Sequence, residues 1–371
     1  QHREGVVGTV VQDRTTGHRQ FADPPGADQV AEVDDAVRTH AAGGVEPQRL
    51  LEPLTGPVWG YRRRARLGIK LVPRKGRVLV GFRERSAPYV ADLHECRVLA
   101  PPLDALIDPL AVLVGSLSIA ARVPQAEAAV ADNGCALVLR VLDPPTSDDL
   151  ERLREFERRH GVRLYLQPGG PGTVAPLTPG QPSLQYALPA FGVTLEFEPT
   201  DFIQVNGALN VAMVDRAVEL LGPQPGERVL DLFCGLGNFS LPLARRAGEV
   251  LGVEGDPGLV SRAAGNAARQ GVANVSYLVA DLTAPTLDAQ WATRHYDRVL
   301  LDPPRAGARE VLPVVGRSGA GRVVYISCHP GSLARDAGLL VQAHGFRLVA
   351  AGVMDMFPHT THVEAMAVFE R

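Results

Sequence analysis

The chain is short of several things. It has four cysteines in 371 residues, Cys96, Cys135, Cys234 and Cys328, and no two of them form a C-x-x-C pair. That spacing excludes a disulfide framework and a structural zinc site built on paired cysteines. No apolar run reaches the roughly 18 residues of a membrane span, and the opening stretch "QHREGVVGTVVQDRTTGHRQ" lacks the apolar core of a secretion signal. Aromatics make up only 5% of the chain, and the net charge of −3 leaves no global excess of either sign. There is no internal repeat and no low-complexity tail. What remains is a globular composition, 45% hydrophobic and 21% charged, long enough for two or three domains. A cytoplasmic enzyme is the expectation.

Residues 1–55 form a short N-terminal segment in which "GADQVAEVDDAVRTHAAGG" (26–44) reads as one amphipathic helix. A central α+β domain is expected over 56–195. Its stretch "WGYRRRARLGIKLVPRKGRVLVGFRERSAPYV" (59–90) alternates apolar and basic residues around Lys75-Gly76, a hairpin pattern. Residues 101–122 read as helix, 134–143 as a strand, 146–161 as a capped helix and the Gly/Pro-rich 167–182 as a loop. From about 196 to 371, strands and helices alternate, which predicts a Rossmann-like, doubly wound α/β domain.

In that last domain "VLDLFCGLGNFSLPLA" (229–244) is a strand, a glycine turn and a helix start. Gly235 and Gly237 permit a tight turn beneath a ligand. Ser240 stands where a dinucleotide fingerprint needs a third glycine, while Glu254 ends the next strand, 19 residues after Gly235, and Asp281 ends the third. Carboxylates at successive strand ends suit S-adenosylmethionine better than NAD; a generic nucleotide-binding core with ordinary strand-end acids is the alternative. The fourth strand ends in "LLDPPRAG" (300–307), where Arg305, not an aromatic, follows the two prolines. That argues against an exocyclic amine as the methyl acceptor.

The next strand ends in "YISCHP", which places Cys328 at the carboxyl edge of the sheet. A buried inert thiol is the bland reading. The chemical one is that C5 of uracil is too weak a nucleophile to accept a methyl group unaided. A thiolate adding to C6 creates an enolate that can attack, and a base must then remove the C5 proton. Glu364, in "DMFPHTTHVEAMAVFER", is the candidate base; His359 and His362 precede it, with loop histidines as the plain alternative and no metal motif.

"DFIQVNGALNVAMVDRAVELL", "VLDLFCGLGNFSLPLA", "VLLDPPRAGA", "VVYISCHPGSLARDA" and "DMFPHTTHVEAMAVFER" together resemble the bacterial RNA (uracil-5-)-methyltransferases. "YRRRARL" and "VGFRERSAPYVADLHECRVLAP" are similar to the RumA-type 23S ribosomal RNA branch. The resemblance covers roughly residues 57–371. It implies that Cys328 is the nucleophile and Glu364 the base, and that Gln204, Phe233, Gly235, Asn238, Glu254, Asp281 and Asp302 surround S-adenosyl-L-methionine. It also implies a 23S RNA partner, a monomer and no membrane association, with Arg305 and His359 as contacts to the target nucleotide. A transfer-RNA uridine and a non-catalytic assembly factor are the alternatives. Three departures stand out. His329 replaces the usual Asn after the cysteine. Asp281 stands where relatives can carry Asn. The cysteines expected near 19–29 for an iron–sulfur cluster are missing, so no cluster is expected, the N-terminal barrel of the family reads as shortened, and Cys96 reads as a buried thiol.

Ten Lys/Arg against one acid lie between Arg62 and Arg85. Arg62, Arg63, Arg64, Arg66 and Arg83 are therefore candidate phosphate contacts, with Tyr61 and Phe82 as stacking platforms for bases; a solvated hairpin face is the alternative.

Overall fold

A computed structural model describes residues 10–12, 19–21, 44–84 and 89–371. The helix expected over 26–44 lies outside the described residues, save for Gly44. Two short strands, β1 (Val10–Gln12) and β2 (Arg19–Phe21), pair antiparallel, and β3 (Arg49–Leu50) follows.

The central unit is a six-stranded sheet. It comprises β4 (Arg64–Val72), β5 (Arg77–Gly81), β6 (Gln125–Ala131), β7 (Gly134–Arg140), β8 (Val162–Gln167) and β9 (Ala175–Pro176), in the order β5-β4-β6-β7-β8-β9. The β4–β5 hairpin turns at Gly76, whose φ of +62° suits glycine. Alternation along β4 buries Ala65, Leu67 and Ile69 and turns Arg66 and Lys70 outward. β7 and β8 are parallel, so a crossover must join them. The helix Ser147–His160 supplies it, opened by a Thr146/Asp149 capping box and closed at Gly161. The helix expected over 101–122 is broken. Only Ile107–Ser116 is α-helical, between 3₁₀ turns at Leu103–Leu106 and Ala120–Arg122. The Ser116 hydroxyl donates to Leu113 O (2.7 Å) as the chain leaves the helix, and Leu117 is extended.

The hairpin β10 (Leu184–Leu188) and β11 (Val193–Phe197) precedes the helix Gly207–Leu221. Its Leu184, Leu188, Leu195 and Phe197 share a core with Val229 and Val250 of the C-terminal sheet. Asn266 and Gln270 side chains bond its Glu196 and Thr194 backbone. The same core takes in Ala129, Ala131 and Ala136 of the central sheet, and the Asn133 and Asp132 side chains accept from Gln185 N (3.1 Å) and Ala187 N (2.8 Å), so the hairpin packs on both sheets.

The C-terminal sheet holds β12 (Arg228–Leu232), β13 (Glu249–Glu254), β14 (Val275–Val279), β15 (Arg298–Leu301), β16 (Arg322–Ser327), β17 (Arg347–Met354) and β18 (Glu364–Glu370). The order is β14-β13-β12-β15-β16-β18-β17-β3. The five strands β14 to β16 are parallel, and the last strand inserts antiparallel between β16 and β17. The expected α/β class is thus observed. The segment 48–54, within the short N-terminal segment, runs along β17: Leu51 N donates to Ala351 O (2.8 Å) and Leu54 N to Val353 O (2.9 Å). An edge strand offers unpaired backbone groups, and this segment satisfies them. Strand order reverses beside β12, where β13 lies to one side and β15 to the other, and ligands enter such sheets at that crevice.

Candidate active site

β12 delivers the chain into Phe233, whose φ of +64° is costly for a side chain of that size. Two bonds hold it there: Phe233 N and Cys234 N both donate to Val253 O (2.9 and 3.2 Å). The two glycines that follow differ in purpose. A Cβ at Gly235 would meet nothing within 4 Å, so the turn is open on the ligand side. A Cβ at Gly237 would lie 2.7 Å from the Tyr277 hydroxyl, so that residue is packed from below. Glu254, at the end of β13, accepts from Gly235 N (3.2 Å), Gly255 N (2.7 Å) and Asp256 N (3.1 Å). Asp281 accepts from Thr283 N (2.8 Å) and its hydroxyl (2.7 Å), which hold its carboxyl below the usual range. Gln204 is half-buried. Asn238 is committed elsewhere: its amide forms a reciprocal pair with Asn210 (2.9 and 3.1 Å) and accepts from Tyr186 OH (3.0 Å). These bonds tie the glycine turn to β10 and the helix Gly207–Leu221.

Beneath the turn, Asp231 is fully buried and accepts from Ser240 Oγ (2.5 Å), while its other oxygen has no partner. Burial pushes its carboxyl up to about 7, and the nearby acids Asp302 and Glu254 add to that.

The nucleophile side follows from strand register. Every pair along β16 and β18, from Arg322↔Glu370 to Ser327↔Ala365, keeps one antiparallel frame. The next step of that frame sets Cys328 opposite Glu364. Residues facing each other on adjacent strands are within side-chain reach. The electrostatics agree. Burial pushes the half-buried Cys328 thiol up to about 11, Glu364 and Asp302 push the same way, and the Arg305 cation opposes them. Burial, then Asp302, raises the carboxyl of Glu364 to about 8. Burial alone raises Asp302 to about 7. A thiol, two carboxyls poised near neutrality and a guanidinium thus converge at three neighbouring strand ends, a constellation suited to proton transfer around a nucleophile.

His329 has a clear job. It is the N-cap of the helix Pro330–Gln342, and its Nδ1 accepts from Ser332 N (3.1 Å). An asparagine side chain caps in the same way, so the departure from the family pattern preserves the turn that carries Cys328.

A feature missed in the sequence fixes the Asp302–Ala308 loop. Asp336, fully buried, accepts from Ala308 N (2.7 Å), Tyr325 OH (2.6 Å) and Arg335 Nε (2.8 Å), and Arg335 also donates to Ala306 O (2.8 Å). Gly307, at φ +86°, is obligatory: a Cβ would lie 2.5 Å from both Arg335 and Asp336. The "ARD" at 334–336, with its Asp eight residues after the cysteine, was its only trace in the sequence.

The basic platform is narrower than the sequence suggests. Arg62 is 5% exposed, with its guanidinium 5.8 Å from the Phe82 ring, so it is a core residue and not a phosphate contact. Tyr61 and Phe82 are buried as well and offer no stacking face. The parallel bridge of 62 to Leu99 and the antiparallel one to Asn206 explain this: the strap is sandwiched between two segments. Arg63 pairs with Asp132 (2.7 Å), and the largely covered Arg64 donates to Pro199 O and Thr200 O. Arg66 is exposed although it pairs with Glu127 (3.0 Å), and Arg83, Arg305, Lys70 and Arg74 are exposed. His359 does not stand free either, because its ring stacks on Trp59 at 4.0 Å.

The family profile described as tRNA (Uracil-5-)-methyltransferase matches residues 192–371. The 23S rRNA (uracil(1939)-C(5))-methyltransferase RlmD of Alkalilimnicola ehrlichii is 58% identical over 333 residues, covering 90% of this chain and 75% of its own. The enzyme of the same name from Methylococcus capsulatus is 54% identical over 330 residues, covering 89% and 74%. The chain belongs to the RNA uracil-C5 methyltransferases. Within this family, the expectation of S-adenosyl-L-methionine as methyl donor stands. The tRNA (uracil-54, C5)-methyltransferase of Pyrococcus abyssi, solved with S-adenosyl-L-homocysteine, shares the fold at a TM-score of 0.72 and 22% identity, over 93% of this uracil methyltransferase and 82% of its own chain.

Among the described residues no group of three His, Cys, Asp or Glu is placed to hold a metal, and no helix is long and apolar enough to cross a membrane. Cys96 is buried. The segment 19–29, on which the cluster expectation turns, lies outside the described residues apart from β2.

Proposed function

We propose that this protein methylates C5 of a uridine in 23S ribosomal RNA, with Cys328 as nucleophile and Glu364 as base. The observation that carries the reading is the antiparallel frame of β16 and β18, whose last pair Ser327↔Ala365 directly precedes Cys328 and follows Glu364, together with the electrostatic influence of Glu364 on Cys328 and of Asp302 on both. The relatives' ribosomal RNA substrate supports the choice of RNA.

The residues present fit the methyl donor. The turn is open at Gly235, and the Glu254 carboxylate beside it, close enough to act on buried Asp231, has the charge that favours a cation. When bound, S-adenosyl-L-methionine supplies an electrophilic methyl group on a positively charged sulfur. Glu254 and Asp281, at the ends of neighbouring strands, would hold the ribose and adenine.

At the acceptor, the Cys328 thiol gives its proton to a neighbouring carboxylate. The Sγ–C6 bond forms, and the C5=C6 π pair becomes the enolate that takes the methyl group at C5. Glu364 then removes the C5 proton; the C5–H electron pair re-forms the C5=C6 bond as the Sγ–C6 bond breaks. The target base must leave its stack to reach this edge of the sheet. Exposed Arg66, Arg83 and Arg305 supply phosphate contacts. The enzyme acts as a monomer without membrane association, in the cytoplasm where ribosomal RNA is modified.

Incubating the protein with labelled S-adenosyl-L-methionine and transcripts of 23S RNA or tRNA tests the reading. Label is expected as 5-methyluridine in the 23S transcript. Label in tRNA alone, or in neither, overturns it.

A further inference from the structure

The loop Asp355–Val363 joins β17 to Glu364, and three contacts tie it to residues 54–61. Asp355 N donates to Leu54 O (2.9 Å), Tyr61 OH donates to Pro358 O (2.9 Å), and His359 Nε2 lies 2.9 Å from Val58 O. The His359 ring stacks on Trp59 with centroids 4.0 Å apart and planes 23° from parallel. The Arg97 guanidinium lies 4.5 Å from the same indole. His359 has a φ of +66°, a conformation that side chains rarely adopt and that persists only where surroundings enforce it. Trp59 and Val58 are those surroundings.

Residues 60–62 pair with 97–98 (Gly60 N to Arg97 O and Arg62 N to Val98 O, both 2.8 Å) and lead directly into β4, the basic strand of the central sheet. The loop before the base is therefore anchored on the sheet that carries the exposed cations.

We propose that Trp59 and His359 form a positioning device. Their stack fixes the loop before Glu364 so that its carboxyl can take the C5 proton. The device links that step to the seating of RNA on the central sheet. The inference rests on the reading of Glu364 as base. His359 is thereby a positioning residue and not a contact to the target nucleotide.

A displaced base leaves methyl transfer possible but stalls elimination, so a methylated protein–RNA adduct accumulates on ordinary, unfluorinated RNA. For Trp59→Ala we expect turnover to fall about 100-fold, the order that a misplacement of about 1 Å produces. The denaturing-gel adduct, labelled through the methyl group, should rise over wild type. Trp59→Phe restores both by keeping a ring for stacking. Should Trp59→Ala not fold, His359→Asn replaces it, because Asn accepts the left-handed backbone and removes the stack. Glu364→Gln is the reference. If it accumulates adduct and the Trp59 and His359 variants lose turnover without doing so, the positioning role is refuted and the base assignment survives. If Glu364→Gln accumulates none, the base assignment fails and this inference with it.

Discussion

Replacing Asp336 by Asn keeps the volume of the side chain and removes one acceptor face. In the native protein one oxygen takes the Ala308 amide and the Tyr325 hydroxyl, and the other takes the Arg335 guanidinium. An amide has a carbonyl for only one of these sides, so its NH2 must face donors on the other. Losing a charge-assisted hydrogen bond costs about 1.5–3 kcal/mol. Breaking a fully buried ion pair costs about 3–5 kcal/mol. Arg335 is 41% exposed and recovers part of its hydration, which favours the lower range, about 2–3 kcal/mol in all. Urea unfolding followed by far-UV circular dichroism reads this as a lower midpoint at unchanged slope. Because Ala306 and Ala308 belong to the loop that bears Arg305, the same variant should also bind RNA more weakly. A stability change within about 0.5 kcal/mol, the range of ordinary surface substitutions, would refute the network as the anchor of this loop.

Glu364 must be ionised to take a proton, and its folded pKa is raised to about 8 by burial and Asp302, so activity is lost as pH falls below that value. A profile of kcat/KM against pH should rise with an apparent pKa near 8, and Glu364→Gln should lower turnover by about 10²–10⁴-fold and remove that limb. Asp231 rises from 3.8 to about 7 on folding, so its contribution to stability is complete below the lower value and lost as pH climbs through the upper one. Asp231→Asn should flatten the decline in melting temperature between about pH 4 and 7; an unchanged slope would show that another group controls it. His329→Asn should leave the melting temperature unchanged, whereas His329→Ala should cost about 1 kcal/mol through loss of the cap, measured by the same unfolding assay.

Much of the catalytic half was legible because its chemistry sits at strand ends, which alternating strands and helices announce. Asp231 and Glu254 lie near the ends of β12 and β13, Asp302 and Cys328 follow β15 and β16 in the same parallel array, and a short apolar run before each acid or thiol places it. What the pattern could not reveal was the antiparallel insertion of β18, because strand direction depends on tertiary pairing and not on period. That insertion sets Glu364 against Cys328, which the resemblance implied but spacing did not. The basic run misled for a related reason. Charge counts do not say which arginines point outward, and Arg62 is covered by segments far away in the chain, at Leu99 and Asn206. Asn238 and His359 make contacts with Asn210 and Trp59 that spacing does not announce. Long-range partners decide such cases, and a single sequence does not display them.

The most direct test of the central claim is trapping with RNA that carries 5-fluorouridine. Fluorine at C5 cannot leave as a proton, so elimination stalls after methyl transfer. The wild-type protein should form a denaturation-resistant adduct with the 23S transcript in the presence of S-adenosyl-L-methionine, with the RNA attached at Cys328, and Cys328→Ala should form none. No adduct with the wild type, or an adduct that survives Cys328→Ala, would contradict the account.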